Sequence, residues 1–188
     1  MTFVLWALIN QNKEGFHYLL SHGANPNLQL TESVEEMITA GNSALSAAAM
    51  LEDTWFLAEA LKYGGNPNLV NPWMEETPLY ESIFRRRAAP AKMLIAAGAD
   101  INFPDRDGDT PMMTASRLIQ YETVYSLLKA GADPYKKNKW GHDLVWDIEN
   151  DHADPNGLEF KWRTKVIELL KSTRADPNRL NNVRSQRD

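Results

Sequence analysis

The chain has 188 residues, with 20 lysines and arginines against 25 aspartates and glutamates, which gives a formal net charge of −5 at pH 7. This acidic balance argues against nucleic acid as a partner, because proteins that bind nucleic acid usually present a basic face to the phosphates. The sequence contains no cysteine, which excludes disulfides, thiolate catalysis and cysteine metal sites, and it contains no apolar run of about 18 residues that could span a membrane.

The first predicted element is an apolar helix that follows Thr2. Its run FVLWALI, Phe3 to Ile9, has the apolarity of a signal peptide but lacks a basic start and a small-residue cleavage site. We therefore interpret it as the first helix of the fold. The turn that precedes comparable helices later in the chain is missing here, so we expect that a native segment, such as a signal or lipoprotein peptide, was removed and that Met1 was added for expression.

Residues 105–138 show the unit from which the chain is built. After a turn, Thr110 and Pro111 begin a helix, since threonine accepts a hydrogen bond from a free backbone N–H and proline at the first helical position loses no donor. A second helix, with aliphatic residues at 124, 127 and 128, ends at Gly131. Helices this short are marginal alone, so the unit must stack on copies of itself.

Copies of this unit recur at a fixed spacing. Successive capping residues are 41, 34, 33 and 33 residues apart, and a glycine follows each of the first four caps by 21 residues. The caps are Thr2, Ser43, Thr77, Thr110 and Asp143, and the glycines are Gly23, Gly64, Gly98 and Gly131. A period near 33 residues with a turn and two helices is typical of a repeat array.

In these residues the sequence resembles the ankyrin-repeat family over nearly its whole length. The helix starts, the aliphatic pairs and the closing loops carry the resemblance: Gly108-Asp109-Thr110-Pro111, Thr77-Pro78-Leu79, Leu19-Leu20, Leu94-Ile95, Leu127-Leu128, Gly23-Ala24-Asn25-Pro26-Asn27, Gly98-Ala99-Asp100-Ile101-Asn102 and Gly131-Ala132-Asp133-Pro134. It implies an all-α ankyrin-repeat solenoid of about five helix-turn-helix repeats with an irregular terminal repeat. We expect a single domain over residues 1–178, with repeats near 2–27, 43–68, 77–102, 110–135 and 143–178, and a frayed tail at 179–188.

Two connections are longer than the period requires. Residues 24–42 place Leu28, Leu30 and Ile38 among glutamates, and they form either an extra helical turn over the end of the array or a binding loop. Residues 150–162, inserted in the fifth repeat, include the turn signal Asp154-Pro155-Asn156-Gly157. Whether these two loops bind a partner or cap the core is left open.

The sequence carries no signature of an enzyme or of a metal site. Gly-x-Ser-x-Gly, a phosphate-binding glycine loop and His-Glu-x-x-His are absent. Asp105, Asp107 and Asp109 alternate as in a calcium loop, but Gly108 occupies the fourth place rather than the sixth and no glutamate occupies the twelfth. We therefore expect a protein that is not an enzyme, with no catalytic residue, no metal ligand and no cofactor.

The ankyrin resemblance implies that another protein binds at the turn tips and at the concave ends of the first helices. The tips lie three and four residues before each cap, and the concave ends lie seven and eight residues after it. At these positions the chain places apolar side chains, which imply a partner when they are contiguous, and basic side chains that pair with carboxylates. We expect partner contacts at Ile9, Met50, Leu51, Trp73, Met74, Phe84, Arg85, Arg106, Arg117, Leu118, Lys139 and Trp140. The alternative is that the long loops fold over this face and hide it.

The sequence resembles small single-array ankyrin proteins with Asn-Pro-Asn closings, as at 25–27 and 66–68, and such proteins are frequent in bacteria. Some of these are immunity proteins that block a cognate toxin, such as a secreted phospholipase effector, by covering its active or membrane-docking surface. The resemblance thus implies a protein-binding module that is monomeric when free and does not insert into a membrane. It would act in the bacterial periplasm if a signal peptide was removed, and otherwise in the cytoplasm. The alternative function is a scaffold or host-directed effector that binds a eukaryotic protein.

Overall fold

The structure, a computed structural model, describes residues 2–33 and 38–172. In this part of the chain all the regular structure is helical, in ten α-helices. They are α1 (Phe3–Ile9), α2 (Lys13–Ser21), α3 (Ala44–Ala49), α4 (Trp55–Lys62), α5 (Pro78–Phe84), α6 (Ala88–Ala96), α7 (Pro111–Arg117), α8 (Tyr121–Lys129), α9 (Leu144–Glu149) and α10 (Leu158–Ser172). Nine of the ten are short, and α10, with 15 residues, is the exception.

The first helix of each pair begins at its predicted cap. Thr2, Ser43, Thr77, Thr110 and Asp143 are the N-cap residues of α1, α3, α5, α7 and α9. Leu5 N donates to Thr2 Oγ1 over 3.2 Å, and Trp146 N donates to Asp143 Oδ1 over 3.1 Å. These bonds satisfy amides that have no partner inside the helix. The predicted helix starts are confirmed.

The second helices of the first four pairs close at the predicted glycines. Gly23, Gly64, Gly98 and Gly131 have φ between 83° and 92°, the left-handed conformation that glycine adopts without a steric penalty. The next amide then bonds back into the helix, as Ala132 N does to Leu127 O over 3.0 Å. The chain therefore leaves each second helix in the same direction.

Asparagines in the closing loops bind the next loop along the chain. Asn27 Nδ2 donates to Gly64 O over 2.9 Å, and Asn66 N donates to Asn27 Oδ1 over 2.7 Å. Asn68 repeats the contact one loop later, with Nδ2 donating to Gly98 O over 3.0 Å. Because each amide side chain uses both its donor and its acceptor, it fixes the register of adjacent repeats.

The chain divides into two compact units, Met1–Asp100 and Ile101–Asp188. In the first unit α3 packs against α1 and α5, and α4 packs against α2. Phe16 and Phe56 meet edge to face, with ring centroids 5.1 Å apart, a favourable geometry for two aromatic rings. The buried core of this unit also includes Leu5, Leu45, Leu57, Leu79, Ile83 and Leu94. The single domain expected over 1–178 stays a prediction.

In the second unit α7 packs against α8 and α9, and α10 packs against α8. A buried polar network holds the inserted segment that leads to α10. Arg163 Nε pairs with Asp151 Oδ2 over 2.7 Å, Arg163 Nη2 donates to Ile148 O over 2.8 Å, and the Tyr121 hydroxyl donates to the same Asp151 oxygen. The predicted turn is also present, since Gly157 N donates to Asp154 O. The predicted loop 150–162 is shorter than expected, because α10 begins at Leu158, and the segment 150–157 is anchored to the core.

The long loop of the first unit is closed by its own backbone. Leu30 N donates to Asn42 O and Gly41 N donates to Leu30 O, over 2.9 and 2.8 Å. Gln29 Nε2 donates to Gly41 O and to Val70 O, over 2.9 and 2.8 Å. Leu30 and Ile38 are buried. Both ends of the loop therefore pack on the repeats. Within the connection 24–42, where an extra helical turn was one alternative, residues 24–33 and 38–42 form no helix. Residues 34–37 and the predicted tail 179–188 lie outside the described residues.

Candidate binding surface

In the first unit, the turn before α5 holds Trp73 and Met74 at its tip. Asn71 N donates to Glu76 O over 2.8 Å, which closes the turn. Trp73 N and Met74 N donate to Asn71 Oδ1 over 2.9 and 3.3 Å, while Asn71 Nδ2 donates to Ala40 O over 3.2 Å. The buried asparagine fixes the backbone of the tip, and Trp73 is 64% exposed.

In the second unit, the turn before α9 has the same construction. Trp140 N and His142 N each donate to Asn138 Oδ1 over 3.0 Å, and Asn138 Nδ2 donates to Asp109 Oδ1 over 2.8 Å. Trp140 is 55% exposed, and Lys139 Nζ lies 4.6 Å from the centroid of the tryptophan ring. Both tryptophans predicted at turn tips are therefore exposed and held by a buried asparagine.

The C-terminal end of α5 presents an exposed aromatic ring beside arginines. Phe84 is the last residue of the helix and is 45% exposed, and its ring lies against that of the buried Tyr80, with centroids 6.3 Å apart. Arg85 is the C-cap residue and is exposed. The predicted exposure of this end of α5 is confirmed.

Glu81, one turn before Arg85, is held within the unit. Its carboxylate accepts a hydrogen bond from Asn42 Nδ2 over 3.0 Å. Burial raises the pKa of Glu81, and the Asn42 hydrogen bond and the charge of Arg85 oppose that rise without cancelling it. Glu81 is thus a half-buried carboxyl that is engaged by an amide and forms no ion pair with Arg85.

Arg117, predicted as a partner contact, binds two carboxylates of its own unit. Its two terminal nitrogens pair with the two oxygens of Asp109, and its Nε lies 3.3 Å from Asp147 Oδ1. Burial acts to raise the pKa of Asp109, but the hydrogen bonds from Arg117 and Asn138 outweigh it and hold the pKa below its usual value. Because this guanidinium already has a bidentate partner, Arg117 stabilises its own unit and is not available to another protein.

Asp147 is the carboxylate of this cluster that is not fully hydrogen-bonded. Its side chain is 1% exposed and its Oδ2 has no hydrogen-bond partner among the described residues. Burial raises the pKa of Asp147 to about 6, although the charge of Arg117 acts in the opposite direction. The single bond from Arg117 does not offset the loss of hydration of a buried carboxylate.

The other predicted contacts vary in exposure. Ile9, Leu51 and Leu118 are half-buried and Arg106 is exposed. Met50 does not share the exposure that its register predicted, since it is only 2% exposed. Arg87 Nε donates to Met50 O over 2.9 Å, so the backbone at the end of α3 is also engaged within the unit.

The sequence-based prediction missed exposed aromatic residues in the terminal repeats. Phe3, Trp6 and Tyr18 are 80%, 48% and 60% exposed and line a shallow groove of about 410 Å³ on the first repeat. Trp146, 40% exposed, stacks on His142 with ring centroids 3.6 Å apart. The available signal was the spacing of Phe3 and Trp6, which lie three residues apart and therefore on the same face of α1.

Two findings bear on other classes of function. Among the helices that the structure describes, none has both the length and the apolar composition needed to cross a bilayer. In residues 2–33 and 38–172, no three histidine, aspartate or glutamate side chains gather in a way that could hold a metal ion. The predicted lack of a metal and of a cofactor stays a prediction.

Capped helix pairs in register, with tryptophans at fixed turn tips, define a helical-repeat protein of the class that binds other proteins. Residues 45–138, half of the chain, match the family described as ankyrin repeats (3 copies). The chain belongs to the ankyrin-repeat family, and the predicted all-α ankyrin-repeat solenoid is confirmed. Members of this family are typically interaction modules without enzymatic activity.

Several known proteins are similar to this chain. Protein PhlB of Serratia liquefaciens is 35% identical over 118 residues, which are 63% of this chain and 48% of PhlB. The transient receptor potential cation channel subfamily A member 1 of Homo sapiens is 34% identical over 114 residues, 58% of this chain and 10% of the channel protein. Protein lin-12 of Caenorhabditis elegans is 51% identical over 49 residues, 26% of this chain and 3% of lin-12. The chain thus spans about half the length of PhlB and a small part of the other two.

Proposed function

We propose that this protein is an immunity or inhibitor protein that neutralises a cognate bacterial toxin by covering its active or membrane-docking surface. A secreted phospholipase effector is the toxin class that the likeness to small bacterial ankyrin proteins suggests. The similarity to a Serratia protein supports a bacterial setting.

One observation carries the proposal: Trp73 and Trp140 are exposed while their backbone amides are fixed by Asn71 and Asn138. Tryptophan is among the commonest energetic anchors of protein interfaces. Because the tips are ordered before binding, the partner does not have to order them, and less affinity is lost. Each of these ordered tips favours tight binding of a partner, which is what an inhibitor requires.

The test starts by identifying the partner. The immobilised protein is used to capture binding proteins from the native source, and the captured enzyme is assayed for lipid hydrolysis with increasing amounts of the purified protein. We expect inhibition that is complete at equal molar amounts. Capture of a eukaryotic target, with no toxin among the captured proteins, would replace this proposal with the scaffold or host-directed effector.

Substitutions then test the surface. Trp73→Ala and Trp140→Ala should each weaken binding about 30-fold, because truncation of a central tryptophan anchor typically costs about 2 kcal/mol. Tyr18→Ala is the matched control, since Tyr18 is an exposed aromatic residue outside the predicted surface. Calorimetric titration against the captured enzyme measures each affinity. If both tryptophan variants bind the enzyme as tightly as the Tyr18→Ala control, the turn tips are not part of the interface.

A further inference from the structure

We infer that the C-terminal end of α5 binds a carboxylate-rich segment of a protein partner, with Phe84 as the apolar contact and Arg85 and Arg86 as the ion-pairing groups. These three residues are called the α5 patch below. The inference rests on the proposed protein-binding function and specifies the chemistry of the segment that is bound.

The two arginines of the α5 patch have no partner within the described protein. Arg85 and Arg86 are exposed, and neither forms a hydrogen bond or an ion pair through its guanidinium with a described residue. The next residue, Arg87, differs: its Nε donates to Met50 O over 2.9 Å and its Nη1 pairs with Glu52. The run of three arginines therefore contains one structural residue and two whose charges face solvent.

The carboxylate closest in register forms no ion pair with these arginines. Glu81 lies four residues before Arg85, and its Oε1 accepts a hydrogen bond from Asn42, so that the charge of Arg85 acts on it without direct contact. Arg85 and Arg86 are thus positive groups without an internal ion pair in a chain whose net charge is −5. A guanidinium group binds a carboxylate through paired hydrogen bonds, so external carboxylates are the groups that suit these two exposed arginines.

The backbone holds the α5 patch in place. Arg86 N donates to Ile83 O and Arg87 N donates to Ser82 O, over 2.9 and 2.8 Å. Arg86 has φ of 57°, in the left-handed region. The turn from α5 to α6 is thus hydrogen-bonded on both sides of Arg86, and Phe84 and Arg85 project from a fixed helix end.

The composition of the α5 patch favours an acidic protein segment over a polyanion. Nucleic acids and anionic membranes present many charges, and they are bound by surfaces that neutralise several phosphates at once. Here only two unpaired arginines adjoin an exposed aromatic ring, within an acidic protein. A peptide with a few aspartates or glutamates around one apolar side chain satisfies both the charges and the ring.

The test is a selection of random 12-residue peptides displayed on phage against the full-length protein. We expect the recovered peptides to be enriched in aspartate and glutamate flanking an aromatic or aliphatic residue. A synthetic peptide of the recovered consensus is then titrated by fluorescence anisotropy. Arg85→Glu/Arg86→Glu should weaken its binding by about tenfold or more, because like charges then face the peptide. Raising the salt concentration from about 50 to about 300 mM should weaken it as well.

The matched control is Lys161→Glu/Lys171→Glu, which changes the net charge equally at two exposed positions of α10. This control should bind within about twofold of the unmodified protein, whereas Phe84→Ala should bind more weakly with its salt dependence retained. Circular dichroism checks that each variant is folded, and Arg85→Gln/Arg86→Gln gives a second variant in which the two charges are removed but not reversed.

Recovered peptides without acidic enrichment, or equal losses of affinity in the arginine and lysine variants, overturn the inference. Equally tight binding of a DNA duplex or of phosphatidylglycerol vesicles that depends on Arg85 and Arg86 also overturns it. The peptide arm needs no toxin, so failure of the immunity proposal alone would leave its result intact.

Discussion

Helices α5 and α7 begin with the same residue types and end differently. Each has seven residues, follows a threonine N-cap and starts with proline. At the end of α7, Arg117 is bound by Asp109 and Asp147, whereas Arg85 at the end of α5 has no ion pair with a described residue. Arg117 thus stabilises the fold, whereas Arg85 is available to a partner.

The difference follows from one position in the register. Arg117 lies seven residues after its cap and Arg85 lies eight after its own, so the position equivalent to Arg117 in α5 is occupied by Phe84. A shift of one residue turns a side chain by about 100° around the helix axis. Arg117 faces buried carboxylates, and Arg85 does not. An arginine at a predicted surface position is therefore available to a partner only if the fold leaves it unpaired.

The largest expected effect comes from removing the paired arginine. Arg117→Ala leaves two buried carboxylates without their cation and should lower the free energy of unfolding by about 3 kcal/mol, toward the low end for a buried pair because this arginine is 40% exposed. Arg85→Ala should change it by less than about 0.5 kcal/mol. Urea unfolding followed by circular dichroism measures both. Similar small losses in the two variants would contradict the distinction between the helix ends.

A pH titration sharpens the same comparison. Asp147 has a pKa raised by burial to about 6 from its ordinary 3.8, so the folded state binds a proton more readily than the unfolded state. Its contribution to stability is therefore fully present below about pH 4 and is lost as the pH rises through about 6. We expect unfolding to become harder by about 1.5 kcal/mol from about pH 7 to about pH 5. The melting temperature of Asp147→Asn at both pH values is the control, and it should lack this gain.

The smallest expected effect on the free energy of unfolding comes from the residue that follows the C-terminal end of each helix by one more position. Arg86 and Ile119 both lie nine residues after their caps, with φ of 57° and 56°. Arg86→Gly should raise the free energy of unfolding by about 0.5 kcal/mol, because glycine adopts this conformation without strain. Ile119→Gly relieves the same strain but removes a half-buried side chain, so we expect a net loss. Thermal unfolding distinguishes them, and a loss of stability in Arg86→Gly would show that its side chain has an internal role. Arg86→Gly should also weaken the peptide binding of the α5 patch while stabilising the fold.

Features specified by neighbouring residues were predictable. Thr110 with Pro111 sets a helix start, and Gly131 sets a helix end, because caps act within one turn of chain. The exposure of Trp73 and Trp140 followed from counting back from the caps. The hydrogen bond from Arg87 to the Met50 backbone was not predictable, since these residues are 37 positions apart, and neither was the burial of Met50.

The sequence by itself determined the period, the helix boundaries, the closing glycines and the positions of the turn tips, because each depends on backbone preferences and hydrogen bonds within a few residues. The tertiary structure alone decided which charged groups are neutralised inside the protein and which remain for a partner. The pairing of Arg117 with Asp147 joins residues 30 apart. A pairing of this kind, and the pKa that burial gives to the carboxyl, exist only once neighbouring repeats have packed and removed water from between them.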